Sequence, residues 1–409
     1  MSTNFILLLP LSKEKGEILL GRRILLVGLG TLGSSVLDVL SHTPTITEGL
    51  DEIVVADANE DMGIRRTNMA LMKAQQLGFH PNVRFVRMNL LDIDKTSEQL
   101  REISPDLVYT SVVLQPLWIY PYLPKQIQDK IYEAGGSVFL PMNLPLVYSL
   151  MQALRKARLK PFVVNASFPD MTAPVLNRIG LGYTVGVGNI DMVVPLMKWA
   201  VSERFKVPVS DVTVFMVGTY FVYVSIFHVG HTRGAPYFLK VLVRDKDVTA
   251  EFDKDRRLSR ENFGFPLLPS GVPYPLTVAS SINVIRGLLF DTKEIIHAPG
   301  PNGLPGGYPV RVSAKGAEVV LPEDITLDEA IRINSEALKY DGVKEIKEDG
   351  TTIFTEKARR IIEETIGYDC CPFKPEESLE RARELGGKLR ALGEKHNLPD
   401  FALKAIWLG

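Results

Sequence analysis

Gly28-Leu29-Gly30-Thr31-Leu32-Gly33 is the stretch of this 409-residue chain whose spacing speaks most directly of chemistry. Gly28 permits a tight turn, Gly30 lets the backbone come up against a pyrophosphate, and Gly33 allows a helix to pack closely on a strand. A diphosphate would rest on free amides at the start of that helix, beside Thr31 and Leu32, where the macrodipole favours an anion. The context fits the spacing. The apolar run Ile24–Val27 precedes the glycines, and Leu32, Val36, Leu37 and Leu40 share one helical face after them. Asp57 closes a second apolar run 24 residues past Gly33. A carboxylate there accepts hydrogen bonds from an adenosine ribose and repels a 2′-phosphate, which favours NAD. Arg65 and Arg66 follow closely; they would tolerate NADP, or else form a solvated helix surface.

In an open parallel sheet, ligands bind outside the carboxyl ends of the strands. Here those ends read as Gly28, Asp57, Asn89, Thr110 with Ser111, Met142 with Asn143, and Asn165. Asn89 would lie near an adenine ring, and Thr110 and Ser111 along the path of the ribose and nicotinamide. Asn165, ending an expected sixth strand in Val163–Asp170, would orient the substrate or the nicotinamide carboxamide. The plainer alternative for all of these is turn chemistry, which Asn, Ser, Pro and Asp favour.

Only six histidines occur, so the pair His228 and His231 is informative. A histidine near its ordinary pKa suits proton exchange with a carbonyl or imine as hydride moves. Read as a strand, Tyr220, Val222, Val224, Ile226 and His228 share one face. His231 and Arg233 fall in a turn, where Arg233 would hold a substrate carboxylate by a bidentate pair. Either histidine has an ordinary structural role as its alternative. No His-Glu metal motif and no grouping of carboxylates suggests a metal.

The elements that must position these residues follow from periodicity. Ile24–Val27, Ile53–Ala56, Val83–Met88, Asp106–Val113, Ser137–Met142 and Pro161–Ala166 read as six strands separated by helices, which implies parallel βαβ units. The expected fold is α/β. A doubly wound parallel-sheet domain over 20–167 precedes a mixed α+β substrate or dimerisation domain over 168–409. In the second part, Asn189 to Phe205 reads as a helix, and Val212–Gly218, Tyr220–Val229 and Tyr237–Val243 as an antiparallel meander. Leu276–Leu289 reads as a helix after a Pro/Gly-rich stretch. Thr326 with Glu329 forms a capping box, and long helices near 355–366 and 376–395 finish the chain.

Composition narrows the partners. With 47 basic against 48 acidic side chains, the formal charge is −1, so no basic surplus exists to displace counterions from nucleic acid. No apolar run approaches the ~18–20 residues that cross a bilayer, and the FILLLP stretch near the start is a poor secretory signal. Cys370 and Cys371 are adjacent, an arrangement that suits free thiols better than a bridge. A cytoplasmic protein that handles small molecules is the expectation.

Two family resemblances sharpen it. The glycine fingerprint, the Asp57 strand end and the run Asn89 to Val113, with its Pro105–Val108 segment, resemble the saccharopine dehydrogenase type of Rossmann domain. The run Val163–Asp170, followed by Gly186–Asn189 and a mixed second domain, resembles the lactate/malate dehydrogenase superfamily, which also contains the NAD-dependent glycosidases. The second resemblance implies a catalytic histidine near the Val217–Val224 motif, where this chain has Tyr220 and Phe221 instead. Together they imply an NAD(P)-dependent oxidoreductase, forming a homodimer, that acts on a small amino-acid, opine-type or hydroxy-acid substrate. The alternatives are a non-catalytic dinucleotide sensor and an NAD-using hydrolase or lyase of the glycosidase type. The distant position of the two cysteines speaks against the last.

Overall fold

The computed structural model describes residues 22–47, 49–251 and 274–408. The FILLLP stretch and most of the Pro/Gly-rich segment before residue 276 lie outside the described residues. The first half runs β1 (Arg23–Val27), α1 (Thr31–Ser41), a single turn α2 (Pro44–Thr47), β2 (Glu52–Asp57), α3 (Glu60–Gln76), β3 (Val83–Arg87) and α4 (Ile93–Ile103). It continues through β4 (Leu107–Thr110), α5 (Lys125–Ala134), α6 (Leu140–Ala157), β5 (Phe162–Asn165), α7 (Pro169–Arg178) and β6 (Val185–Gly186). All six strands pair in parallel in the order β3-β2-β1-β4-β5-β6. This is the doubly wound Rossmann arrangement. Its strand order reverses between β1 and β4, and sheets of this kind bind ligands outside the carboxyl ends at that point. Ile24, Leu25 and Leu26 are fully buried because helices cover both faces of the sheet, hence the unbroken apolar run in β1.

Two strand assignments made from sequence are corrected. Ser137–Met142 is not a strand: a 3-10 turn over Gly136–Phe139 leads into the first turn of α6. Pro141 sits in that first turn, where its missing N–H costs nothing, and Asn143 Nδ2 donates to the Phe139 carbonyl at 2.9 Å. Met142 and Asn143 are therefore buried in a helix and not at a strand end. Phe162–Asn165 then becomes the fifth strand, and the sixth is the two-residue β6. The apolar length expectation is corrected too. The helical stretch Gly136–Ala157 has 22 residues and contains an 18-residue window of mean hydropathy 1.3, long and apolar enough to span a bilayer by length and composition. Of that window 83% is buried within the protein, as in a core helix.

The second half contains α8 (Ile190–Phe205), β7 (Val212–Val217), α9 (Tyr220–Val229), β8 (Phe238–Val243), β9 (Lys246–Asp247) and α10 (Tyr274–Phe290). After these come β10 (Ile295–Pro299), β11 (Gly307–Ser313), β12 (Gly316–Val319), α11 (Leu327–Ala337), β13 (Val343–Ile346) and β14 (Thr352–Phe354). The helices α12 (Glu356–Ile366), α13 (Ser378–Lys395) and α14 (Asp400–Lys404) end it. Among the described residues three small antiparallel sheets form, β7-β8-β9, β10-β11-β12 and β13-β14. The expected strand Tyr220–Val229 is the helix α9, so the alternation that placed His228 on a strand face does not apply. Thr326 and Glu329 do form the capping box of α11.

The C-terminal helices return to the first half. The helix α13 packs on α6 and α12 on α5, so one apolar core includes both Leu25 in β1 and Ile406 near the end. Leu150, fully buried in α6, lies within that core. Leu150→Ala is expected to cost about 2–5 kcal/mol and Leu150→Met under about 1.5 kcal/mol, read as the shift in urea unfolding midpoint.

Candidate functional site

The strand-turn-helix at β1–α1 is built by its glycines in three different ways. Gly28 has φ +93°, a left-handed conformation closed to most side chains. A Cβ on Gly33 would collide with the Gly28 carbonyl oxygen and lie 2.8 Å from Ser111 Oγ, so only glycine lets α1 come this close to β1. Gly30 is the opposite case: a Cβ there would meet nothing within 4 Å. The open side of Gly30 is therefore the face that a ligand can approach. The first amides of α1 have no intrahelical acceptor. Gly30 supplies no side-chain cap, and no acidic side chain stands in the first turn. Thr31 is exposed at this edge, while Leu32 is half-buried beneath it. A dinucleotide diphosphate fits this cradle.

Asp57, at the end of β2, turns its carboxylate toward the same turn. Oδ2 accepts from the Leu29 amide at 2.7 Å and Oδ1 from the Asn59 amide at 2.8 Å. Asn89 is exposed after β3 and accepts from Leu91 N at 3.2 Å, forming the turn into α4.

The ends of β4 and β5 complete the crevice. Ser111 Oγ donates to the Gly28 carbonyl at 3.1 Å and so staples the glycine turn to β4. Thr110 is buried, and its hydroxyl has no partner among the described residues. Asn165 is fully buried with its amide spent inside: Nδ2 reaches Ser167 O, Thr172 Oγ1 and Tyr183 OH, and Oδ1 accepts from Ser167 N. It shapes the turn after β5. Ser167 Oγ in turn donates to the Val112 carbonyl. The next residue, Phe168, sets its ring edge-on to Tyr220 with centroids 5.1 Å apart. Contacts thus run from Gly28 through Ser111 and its neighbour Val112 to Ser167, Phe168 and Tyr220.

Tyr220 opens α9, and two buried carboxyls that sequence reasoning missed hold that end. Asp170 Oδ1 accepts from Tyr220 N at 2.8 Å, and Asp341 Oδ2 from Phe221 N at 3.1 Å. Asn189 Nδ2 donates to the other Asp170 oxygen. Burial pushes the Asp170 carboxyl up to about 6, against the opposing pull of Asn189 and the Tyr220 amide. Burial and the nearby Asp170 charge push Asp341 well above the carboxylate range. The Thr219 hydroxyl lies near Asp341 and draws its proton affinity down somewhat without making a well-formed hydrogen bond. Tyr220 is half-buried. Burial first, then the Asp341, Tyr132 and Asp170 charges, raise its pKa, so the phenol stays protonated across neutral pH.

The histidines lie at the other end of α9. His228 is in its last turn; its side chain is outside the described residues. His231 is exposed and accepts from the Arg233 amide at 3.1 Å. Arg233 is exposed, with its guanidinium 4.4 Å from the Tyr132 ring centroid. A ten-residue helix is ~15 Å long, which separates His231 from the Tyr220 end. The Arg233 guanidinium reaches back toward that end, since Tyr132 stacks on Phe221 with centroids 6.4 Å apart. Asp170 was visible in the sequence as part of the Val163–Asp170 run. Asp341 was not, since Asp341-Gly342 reads only as a turn.

No family model matches the chain. Several solved structures share its fold at low identity. The malate dehydrogenase of Picrophilus torridus matches with TM-score 0.54 and 16% identity, over 78% of this chain and 96% of that one. A lactate dehydrogenase of Cryptosporidium parvum, complexed with lactic acid and nicotinamide adenine dinucleotide, gives 0.52 and 16%, over 80% and 100%. The malate dehydrogenase of Plasmodium falciparum gives 0.52 and 15%, over 83% and 99%. The architecture is thus a Rossmann-like sheet with an antiparallel and helical second region, as in lactate and malate dehydrogenases. Of the two likenesses read in the sequence, this is the one the solved structures support.

The raised carboxyls give a signed pH expectation. A carboxyl whose folded pKa exceeds its unfolded value binds protons more tightly when folded, so its stabilisation is complete at low pH and lost as pH rises through the folded pKa. Asp341→Asn keeps an acceptor for the Phe221 amide without the charge. Wild type should therefore lose stability relative to Asp341→Asn as pH is raised from about 4 upward. Parallel thermal melts across pH measure the difference; curves that run parallel would contradict it.

Proposed function

We propose that the chain is an NAD-dependent oxidoreductase that moves a hydride between a nicotinamide and an oxygen- or nitrogen-bearing carbon of a small substrate. Amino-acid, opine-type and hydroxy-acid substrates all suit that chemistry. The observation that carries the reading is the glycine turn: a left-handed Gly28, an open Gly30 and a closely packed Gly33 at the point where the strand order reverses. The fold likeness to dehydrogenases whose structures hold NADH or NAD supports it. When bound, the nicotinamide supplies the hydride chemistry. The protein's share is to seat the diphosphate on the Thr31 and Leu32 amides, to hold the ribose at Asp57 and to place a proton donor. A homodimer, a cytoplasmic setting and a small-molecule substrate complete the proposal, as read from the sequence.

For the proton, the reading favours Tyr220 over His231. Tyr220 stands where the resemblance places a histidine, and its ring meets Phe168 in the turn after β5. It would give its proton to a carbonyl oxygen as hydride reaches the carbon. His231 faces solvent at the far end of α9. Tyr220→Phe should lower NADH-dependent turnover of a panel of 2-oxo acids about 10²–10⁴-fold, with His231→Ala changing it less than about threefold. The reverse ranking would restore the histidine to the role.

A second reading, a dinucleotide sensor without turnover, is favoured by one feature: Ser111, Asn165 and Ser167 all spend their side chains on internal bonds. Fluorescence titration with NADH tests what both readings share. Gly30 has an ordinary φ of −64° and open space around its Cβ position, so Gly30→Glu should fold normally. It should nevertheless weaken NADH binding at least about tenfold by filling the diphosphate seat. Wild-type protein that binds no NADH would overturn both readings; binding without turnover across the panel would leave the sensor.

A further inference from the structure

The peptide of Leu29, between the first two glycines, is gripped from both sides. Its amide donates to Asp57 Oδ2 at 2.7 Å, and its carbonyl accepts from the Arg66 guanidinium of α3. The two arginines that sequence left together are thus separated. Arg65 faces solvent in an ion pair with Asp61 at 2.9 Å. Arg66 is half-buried against the glycine turn, and among the described residues it makes no ion pair. A guanidinium carries five N–H donors, and among the described residues the Leu29 carbonyl takes up only part of that capacity.

The acidic residue closing β2 is the one that takes the adenosine ribose in this kind of crevice. Asp57 and Arg66 hold the amide and carbonyl of one residue, which puts Arg66 at the same turn as the carboxylate that would hold the ribose. Asp57 alone would repel a 2′-phosphate. Its charge is already drawn on by two backbone amides, and Arg66 presents a planar fork suited to phosphate oxygens. Glu60 and Asp61 are the other acidic groups in the first turn of α3, and Asp61 is occupied by Arg65.

Resting on the dinucleotide reading above, we propose that Arg66 determines cofactor choice: it binds a 2′-phosphate and lets this site take NADP(H) as well as NAD(H).

Titrations of the full chain with NADH and with NADPH, in wild type, Arg66→Gln, Arg66→Lys and Arg65→Gln, test this. The expected result is wild-type NADPH affinity within about tenfold of that for NADH. Arg66→Gln should lose tenfold or more toward NADPH and under threefold toward NADH, with Arg66→Lys between and Arg65→Gln unchanged. Thermal melts of the same variants show whether the turn survives loss of the Leu29 contact, and Arg66→Lys provides the comparison if Arg66→Gln does not fold. Equal losses for the two nucleotides would make Arg66 a structural brace and overturn the proposal. So would wild-type protein that binds NADH but not NADPH. Folded wild type that binds neither would instead sink the dinucleotide reading itself.

Discussion

The rest of the molecule depends on how closely α1 approaches β1. Gly33 meets the Gly28 carbonyl at a separation that no side chain survives, and Ser111 Oγ fixes the same carbonyl from β4. That contact aims the N-terminus of α1 across the carboxyl edge of the sheet, at the reversal between β1 and β4. The amides of the first turn are left open there, and Gly30 leaves their approach clear. Anion affinity in such a place comes from geometry and unpaired backbone donors, with little demand on side chains. This explains why three glycines carry more of the site than any titratable group.

A second constraint organises the other side of the crevice. The segment Tyr220–Val229 is β-branched and aromatic, composition that favours strands. It is helical because the orphan amides of its first turn find acceptors elsewhere in the chain: Asp170 for Tyr220 and Asp341 for Phe221. Gly230, left-handed at φ +76°, ends it. The same two carboxyls tie together α7, α9 and the turn before β13. They do so at the cost of burying acids, which lifts their proton affinities and couples this junction to pH.

Sequence revealed what is locally encoded. β1, β2 and β3 follow from apolar runs bounded by glycine, aspartate and turn residues, and the glycine spacing marks the turn between β1 and α1. The capping box at Thr326 was equally plain. Ser137–Met142 misled because a short apolar run looks alike in a buried strand and a buried helix; Pro141 near its start was the one local sign of a helix. The sixth strand escaped because two residues, Val185 and Gly186, carry no periodicity. Asn165 was rightly placed at a strand end, but its saturation by Thr172 and Tyr183 is a tertiary fact. The Asp170–Asp341 pairing with α9 joins residues far apart in the chain, and nothing near Asp341 announces it.

A crystal structure of the chain with NADH bound tests the central claim most directly. The account predicts density with the diphosphate on the Thr31 and Leu32 amides over Gly30, and the adenosine ribose against Asp57 beside Arg66. Density seated anywhere other than the β1–β4 crevice, or a glycine turn left empty at saturating NADH, would contradict it.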